Sequence, residues 1–518
     1  MNKLEKREKL FLGLLVALLI LICTIVISKK TNLHVDEVYT YGLANHQYVN
    51  TFNMNPEEGK LYEPAEEAWD EYMQVQAEST FDYGNGWANQ EADVHPPLYY
   101  VLVHTVCSFF PEQYSIWFAG VINIIFAALT LLAVYFLALS LTKCKQVSCL
   151  AAIFFMLSAG LLSAVAFMRM YIMAMFWVAL ITFLAVKGFS GKKNFSFLVQ
   201  LFAVSVAGIL THYYFLIYLF FICCIWGILL FFEKRFREIL KLLSTIILSG
   251  VIALMIFPAM VQQILNGHRG VEAVDNLKNT SLSEYIERLS TFFGFINEQI
   301  FGGLLPVIMV GFVLTLILGV RKKALFVNKK AILAAVPCLG YFIIVAKIAA
   351  YSYDRYIQPI YPVVAVLGCC MIIYIWHTIF LNKKIVCLAV PISMVVITVS
   401  SLVRCQWTYL YRESEQLLAH ASEKSEYRCI YIYDALWKVQ PSFYEMQNYR
   451  SVVFIAQDHL DLLDSLKLTE EKGLIVCIMD TCDQELIWGK LCTLYSHTQV
   501  SVETLGQYFF ATTYFISE

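Results

Sequence analysis

Charge is scarce in this sequence. Asp, Glu, Lys and Arg make up 15% of 518 residues, against 59% hydrophobic ones, and the mean hydropathy is +0.63. A water-soluble chain of this length needs far more charge to cover its surface, so the composition points to a polytopic membrane protein. The formal net charge of −2 offers no basic face to nucleic acid. Metal-ligand patterns are missing too: there is no CxxC pair and no Cys/His spacing of the zinc kind. The 15 cysteines are scattered, several of them (Cys223, Cys224, Cys369, Cys370) in apolar runs where cysteine acts as a small hydrophobe. A disulfide among Cys429, Cys477, Cys482 and Cys492 cannot be read from spacing. No GxGxxG or Walker loop, internal repeat or low-complexity linker occurs.

What is present is a series of long apolar runs, at 10–28, 115–142, 146–166, 170–188, 195–211, 213–232, 239–264, 303–320, 331–350, 356–381 and 385–403. They predict a mainly α, polytopic bundle of about 11 spans across a hydrocarbon core of ~30 Å. The first run follows basic residues, as a signal peptide would, but lacks a small-residue cleavage site and is expected to stay as an anchor. One set of connecting loops carries "NKLEKREK", "KCK", "KGFSGKK", "EKRFREILK", "RKKALFVNKK" and "NKK", and the alternate set is acidic or mixed. The positive-inside rule then places the N-terminus in the cytoplasm and the C-terminal region outside.

If the apolar stretch "HPPLYYVLVHTVCSFF" (95–110) crossed the membrane, that alternation would fail. It is expected to be a helix lying at the outer interface, opened by Pro96 and Pro97. The first outer loop, 29–113, is therefore large, and its acidic middle "NPEEGKLYEPAEEAWDEY" reads as a solvated helix face. Residues 1–403 form the expected membrane domain. Residues 404–518 alternate short β-branched runs ("RCIYIYD", "SVVFIAQ", "GLIVCIMD", "QYFFATTYFIS") with helix-like stretches, which predicts a small extracytoplasmic α/β domain.

Ionisable residues at membrane depth are costly, which makes them functional candidates. Those at the outer ends of spans are His34, Asp36 and Glu37; His95; Arg169 with Tyr171; His212 with Tyr213 and Tyr214; and Lys347 with Tyr353, Asp354, Arg355 and Tyr356. Singly, each has an ordinary reading: solvated interfacial acids, a snorkelling arginine, a packed histidine, a surface ion pair. Together they share one side of the membrane. Carboxylate plus cations suits group transfer from a phosphate ester, with a base for the nucleophile and positive charge for the departing phosphate.

The acidic pair after the first span, "HPPLYY", "RMY" (169–171), "THYYF" (211–215) and "RYIQPIYPVVAVL" (355–367) together resemble the GT-C superfamily of membrane glycosyltransferases. The nearest likeness within it is to bacterial relatives of the protein O-mannosyltransferases and the lipid A aminoarabinose transferases. The resemblance implies an inverting hexosyl- or pentosyltransferase that moves a sugar from a polyprenyl-phosphate donor to an extracytoplasmic hydroxyl on a lipid, protein or polysaccharide. It implies Asp36 as general base, with Glu37 beside it orienting donor, acceptor or a neighbouring cation. Adjacent helical residues diverge by about 100°, so the two acids have different tasks. The same likeness places Arg169, Arg355, His212, Tyr356 and Lys347 around the donor phosphate, and His34, His95, Tyr171 and Tyr213 in the rest of the cavity. It fixes no cofactor and is compatible with a divalent cation. The segment "VYTYGLA" after the acids lacks the arginine of the aminoarabinose enzymes, so their substrate is not carried over.

Three rivals use the same features. A transporter or lipid flippase would show inverted repeats and paired broken helices. A ligase or polymerase would take a pyrophosphate-linked oligosaccharide, and a scaffold would merely display the C-terminal domain. The orientation is directly testable: reporters fused after residue 144, 192 or 325 should report cytoplasm, and after 60, 280 or 450 the outside. A cytoplasmic signal at 450 would overturn both the orientation and the interfacial reading of 95–110.

Overall fold

The computed structural model describes residues 5–47, 52–191, 193–321, 328–380, 383–466, 468, 471–495 and 500–517. Parts of the basic segments that orient the chain (2–4, 192, 322–327 and 382) lie outside the described residues. Among those described, eight helices are long and apolar enough to cross a membrane: Lys6–Ile27, Ile116–Thr142, Tyr171–Ser190, Tyr214–Phe232, Phe236–Ile256, Lys329–Ile348, Gln358–Ile379 and Lys384–Arg404. The pair Lys145–Met156 and Ala159–Ala166 is together long and apolar enough as well, as a broken span or a re-entrant loop, bent by 49° where Ser158 caps the second half. The chain is a multi-pass membrane protein.

Two more of the expected runs form shorter apolar helices among the described residues, so the count of about 11 is neither reached nor excluded there. Phe195–Ile209 is apolar but has only 15 residues, a rise of ~22 Å, and the apolar helix Leu305–Arg321 runs up to the end of the described residues there. The run 239–264 is not one helix either: it stops at Ile256, and a separate helix, Ala259–Leu265, follows Pro258. Reading 146–166 as an unbroken span also missed the bend. No second bent pair accompanies it among the described residues.

Burial follows the bilayer rather than water. Lys6–Ile27 buries one stripe, Leu12, Leu15, Leu19, Cys23 and Ile27, at helical spacing, and leaves leucines and isoleucines on its outer face. Tyr171–Ser190 is buried almost all round and packs along Ile116–Thr142, so it is the centre of the bundle. The stretch 95–110 forms only the ten-residue helix Leu98–Cys107, too short to span. In the acidic outer loop, helix Glu67–Met73 turns Trp69, Tyr72 and Met73 inward and keeps Glu67 and Glu71 exposed.

A six-stranded sheet sits at the C-terminus. Its strands are β1 (Leu61–Tyr62), β2 (Arg428–Tyr433), β3 (Ser451–Ala456), β4 (Gly473–Met479), β5 (Ser501–Tyr508) and β6 (Ala511–Ser517), in the order β1-β3-β2-β4-β6-β5. The central strands β3, β2 and β4 are parallel and read as continuous apolar runs because both faces are covered. β1 comes from the first outer loop, Leu61 lying opposite Val453. The run "QYFFATTYFIS" is not one strand but a hairpin: β5 ends at Tyr508, and Phe509 turns the chain at φ +48°. All 15 cysteines are unpaired.

Helix Val35–Asn45 packs on Glu67–Met73 and Leu98–Cys107. Gly42 makes that approach possible, since a Cβ there would run into the buried Tyr72 ring. Gly42→Ala should therefore destabilise the protein by about 1–3 kcal/mol, read as a lower thermal midpoint in detergent. An unchanged midpoint would contradict this packing.

Candidate functional site

The site starts where helix Val35–Asn45 begins. His34 is its N-cap: its Nδ1 accepts the Asp36 N–H at 3.0 Å. The Glu37 carboxylate closes the capping box by accepting the His34 N–H at 2.8 Å. It also accepts Lys30 Nζ at 2.9 Å and the Met168 N–H at 2.7 Å, and the Lys30 and Glu37 side chains are both fully buried. Glu37, expected beside Asp36 in catalysis, thus faces no cavity. Of the tasks expected of it, the geometry supplies one, holding a neighbouring cation, Lys30.

Asp36 points the other way. Its Oδ2 lies 2.9 Å from Arg355 Nη1, and its side chain is 26% exposed. Burial alone would raise the carboxyl, but Arg355, then His34 and Arg169, outweigh it and hold Asp36 well below the usual carboxylate range. The group is ionised. Its backbone carbonyl accepts Arg169 Nη1 at 3.1 Å, and the same Nη1 reaches Thr40 Oγ1 at 3.0 Å and the Tyr100 hydroxyl at 2.8 Å. Arg169 Nη2 lies 3.4 Å from His95 Nε2, whose Nδ1 meets Asp93 Oδ2 at 3.0 Å. Arg355 lies over the rings of Phe167, Tyr353 and Tyr356.

The structure brings His34, Asp36, His95, Arg169, Tyr171, His212, Arg355 and Tyr356 together. Tyr171 packs on His212 with ring centroids 5.5 Å apart, and on Tyr356 at 6.5 Å. His212 accepts the Tyr214 N–H at 3.1 Å, and burial pushes its imidazole down to about 3. Two expected members are placed elsewhere. Lys347 donates to the Thr280 carbonyl at 2.8 Å and lies over Tyr285, so it ties down the 280–285 segment rather than joining the other cations. The Tyr213 hydroxyl donates to Gln263, although its ring borders a cavity with His212. Sequence reasoning missed Lys30, Tyr100, Arg269 and Tyr409. Only Lys30 had a signal, a cation seven residues before a buried acid. No group of three or more potential metal ligands occurs among the described residues.

Two cavities flank the Asp36–Arg355 pair. One, of about 360 Å³, is lined by His95, His212, Tyr214, Tyr356 and Arg269 and by aliphatic side chains such as Leu216, Ile264 and Leu277. The other, of about 370 Å³, is lined by His34, Arg355 and Tyr353 and by Trp407, Tyr411 and Phe509 from beyond the last span. Asp36 connects to the first through Arg169 and His95, and to the second through Arg355 and His34.

The fold is that of a multi-pass membrane bundle with an acid-bearing helix after its first span and a small C-terminal sheet. Along nearly its whole length the chain is similar to ArnT from Cupriavidus metallidurans bound to undecaprenyl phosphate, with a TM-score of 0.54, 10% identity and 97% of each chain covered. The apo state of the same protein gives 0.53 over the same extent. The apo oligosaccharyltransferase of Archaeoglobus fulgidus also matches, at a TM-score of 0.45 and 11% identity, over 91% of this chain and 70% of its own. At these identities the likeness is one of fold. No protein-family model and no curated protein sequence matches the chain.

His34 offers a test of the local electrostatics. Burial pushes it down to about 4 from an ordinary 6.5, with Asp36 opposing and Arg355 assisting. The folded state therefore stays unprotonated where the unfolded chain takes up a proton. Its contribution, on the order of 3 kcal/mol, is fully present above pH 6.5 and is lost as pH falls toward 4. His34→Asn, which caps without titrating, should flatten that stretch of the stability–pH curve. Identical slopes for the two proteins would contradict the neutral cap.

Proposed function

We propose that the chain is an inverting membrane glycosyltransferase, with a membrane domain at 1–403 and an extracytoplasmic domain at 404–518. It takes a sugar from a polyprenyl-phosphate donor and transfers it to an acceptor hydroxyl outside the cytoplasm. The observation that carries this reading is a carboxylate, Asp36, held against Arg355, which lines one cavity, and tied through Arg169 to His95, which lines another of different character. The aliphatic cavity suits a prenyl chain, and its Arg269, with Arg169 and His95 behind it, suits the phosphate. The ArnT structure with undecaprenyl phosphate supports that choice of donor class.

In the reaction, the acceptor oxygen bonds to the anomeric carbon as the bond from that carbon to the phosphate oxygen breaks. The electron pair leaves with polyprenyl phosphate, a stable anion that needs positive charge rather than a proton. Arg169 and Arg355 supply the charge, Arg355 losing its counter-charge as Asp36 takes up the acceptor proton. Asp36 takes the hydroxyl proton. Its pairing with Arg355 makes it a weak base, which suffices because the acceptor proton becomes acidic only as the new bond forms. Tyr171, His212 and Tyr356 wall the donor side, and His34 fixes the helix end that carries Asp36.

The test is the lipid that purifies with the protein, identified by mass spectrometry: the expected species is a polyprenyl-phosphate sugar. Arg169→Ala and Arg355→Ala should each weaken binding of that donor and its turnover without unfolding the protein. Lysine at either position should restore only part, because it lacks the planar fork. Unaltered donor affinity in both alanine variants would exclude the phosphate role.

A further inference from the structure

The two cavities differ in charge, and this bears on the acceptor. No carboxylate lines the aliphatic cavity, and its Arg269 is paired with Glu272 at 2.8 Å. The second is lined by three carboxylates, Glu298, Asp354 and Glu413, and its one lysine or arginine, Arg355, is already matched by Asp36 at 2.9 Å. The nearby Lys30 is fully buried and engaged by Glu37. Glu298 and Glu413 are exposed, so they stand at the mouth, while Arg355 is only 7% exposed. The field at this mouth is negative.

Its walls are aromatic, and they are built at a cost. Trp407, Tyr411 and Phe509 all line this cavity, and all three hold left-handed backbone, at φ +39°, +52° and +48°. Bulky side chains rarely adopt that conformation, and surrounding structure must hold it there. Two buried polar atoms of the lining, Arg355 Nε and Gln299 Oε1, have no protein partner. One is a donor and the other an acceptor, as a hydroxyl-bearing ligand requires.

Resting on the transferase reading above, we infer that this second cavity admits a non-anionic carbohydrate as acceptor and rejects phosphorylated or carboxylated ones. Sugar C–H faces lie on the Trp407 and Phe509 rings, and hydroxyls donate to the carboxylates. An amine on the sugar is tolerated, because carboxylates and aromatic faces both favour a cation. An anion meets like charge at Glu298 and Glu413 before it reaches Asp36.

The test uses the full-length protein in nanodiscs and three soluble probes of equal length. These are tetra-N-acetylchitotetraose (neutral), its fully deacetylated tetra-amine, and tetragalacturonate. Binding is read as tryptophan quenching that is lost in Trp407→Phe, and undecaprenyl phosphate binding is measured in parallel. The neutral and amine probes should bind, and tetragalacturonate about tenfold more weakly or worse at low salt. The double variant Glu298→Gln, Glu413→Gln should shrink that gap to about threefold or less, as should high salt in the wild type. Equal binding of tetragalacturonate, a gap indifferent to the double variant, or no binding by any probe overturns the inference. If undecaprenyl phosphate still binds in that event, only the acceptor assignment fails; if it does not, the transferase reading fails with it.

Discussion

The buried carboxylate of Glu37 is the constraint from which the outer-face site follows. Its three donors come from three places: Lys30 just past the first span, the His34 N–H at the start of the next helix, and the Met168 N–H in the turn before Tyr171–Ser190. A buried ion pair contributes little net stability, but losing one partner costs about 3–5 kcal/mol, so the contact enforces a geometry. Because neighbouring helical residues diverge by about 100°, drawing Glu37 inward turns Asp36 outward to Arg355. Arg169 follows Met168 in sequence, so the same contact sets the guanidinium that holds the Asp36 carbonyl. The acid and its cation each lie one residue from the contact that positions them.

The C-terminal part holds the same segment from the other side. Thr31 N–H donates to the Leu410 carbonyl at 2.9 Å, Lys30 Nζ also reaches the Tyr409 carbonyl, and the Tyr508 hydroxyl donates to the Leu33 carbonyl at 3.3 Å. The rings of Tyr411 and Phe509 flank His34, with centroids 6.1 and 5.3 Å away. Together with β1, which adds residues 61–62 to the sheet, these contacts make the first outer loop the joint between bundle and sheet. Residues 30–37 are thus clamped between membrane helices and the C-terminal part, and the small sheet helps shape one cavity directly.

Much of this was legible because membranes make polar residues expensive. Asp36, Arg169 and Arg355 stood out against long apolar runs, and the three do converge. The small C-terminal sheet was legible because buried parallel strands are continuous apolar runs. The rest depended on information that spacing does not carry. Hydropathy cannot tell a 15-residue apolar helix from a full span, and Phe195–Ile209 is such a helix. Nor can adjacency tell which of two acids turns inward, and Glu37 was grouped with Asp36 although its partners lie near Met168. Lys347 shares a helix end with the candidate site yet serves Thr280, a matter of side-chain direction. Phe509 sat inside an unbroken β-branched and aromatic run, and nothing local marked it as a turn. Tyr409 binds Asp354 across 55 residues, beyond the reach of any local pattern.

The central claim is that the carboxylate turned outward by this arrangement accepts the proton during transfer. The most direct measurement is single-turnover transfer from a polyprenyl-phosphate sugar by Asp36→Asn, at matched thermal stability and with donor binding measured separately. The side chain is nearly isosteric but not basic, so the account predicts a rate lower by about a hundredfold to ten-thousandfold with donor still bound. A near-normal rate would contradict it and move the search for the base to Asp93 and His95.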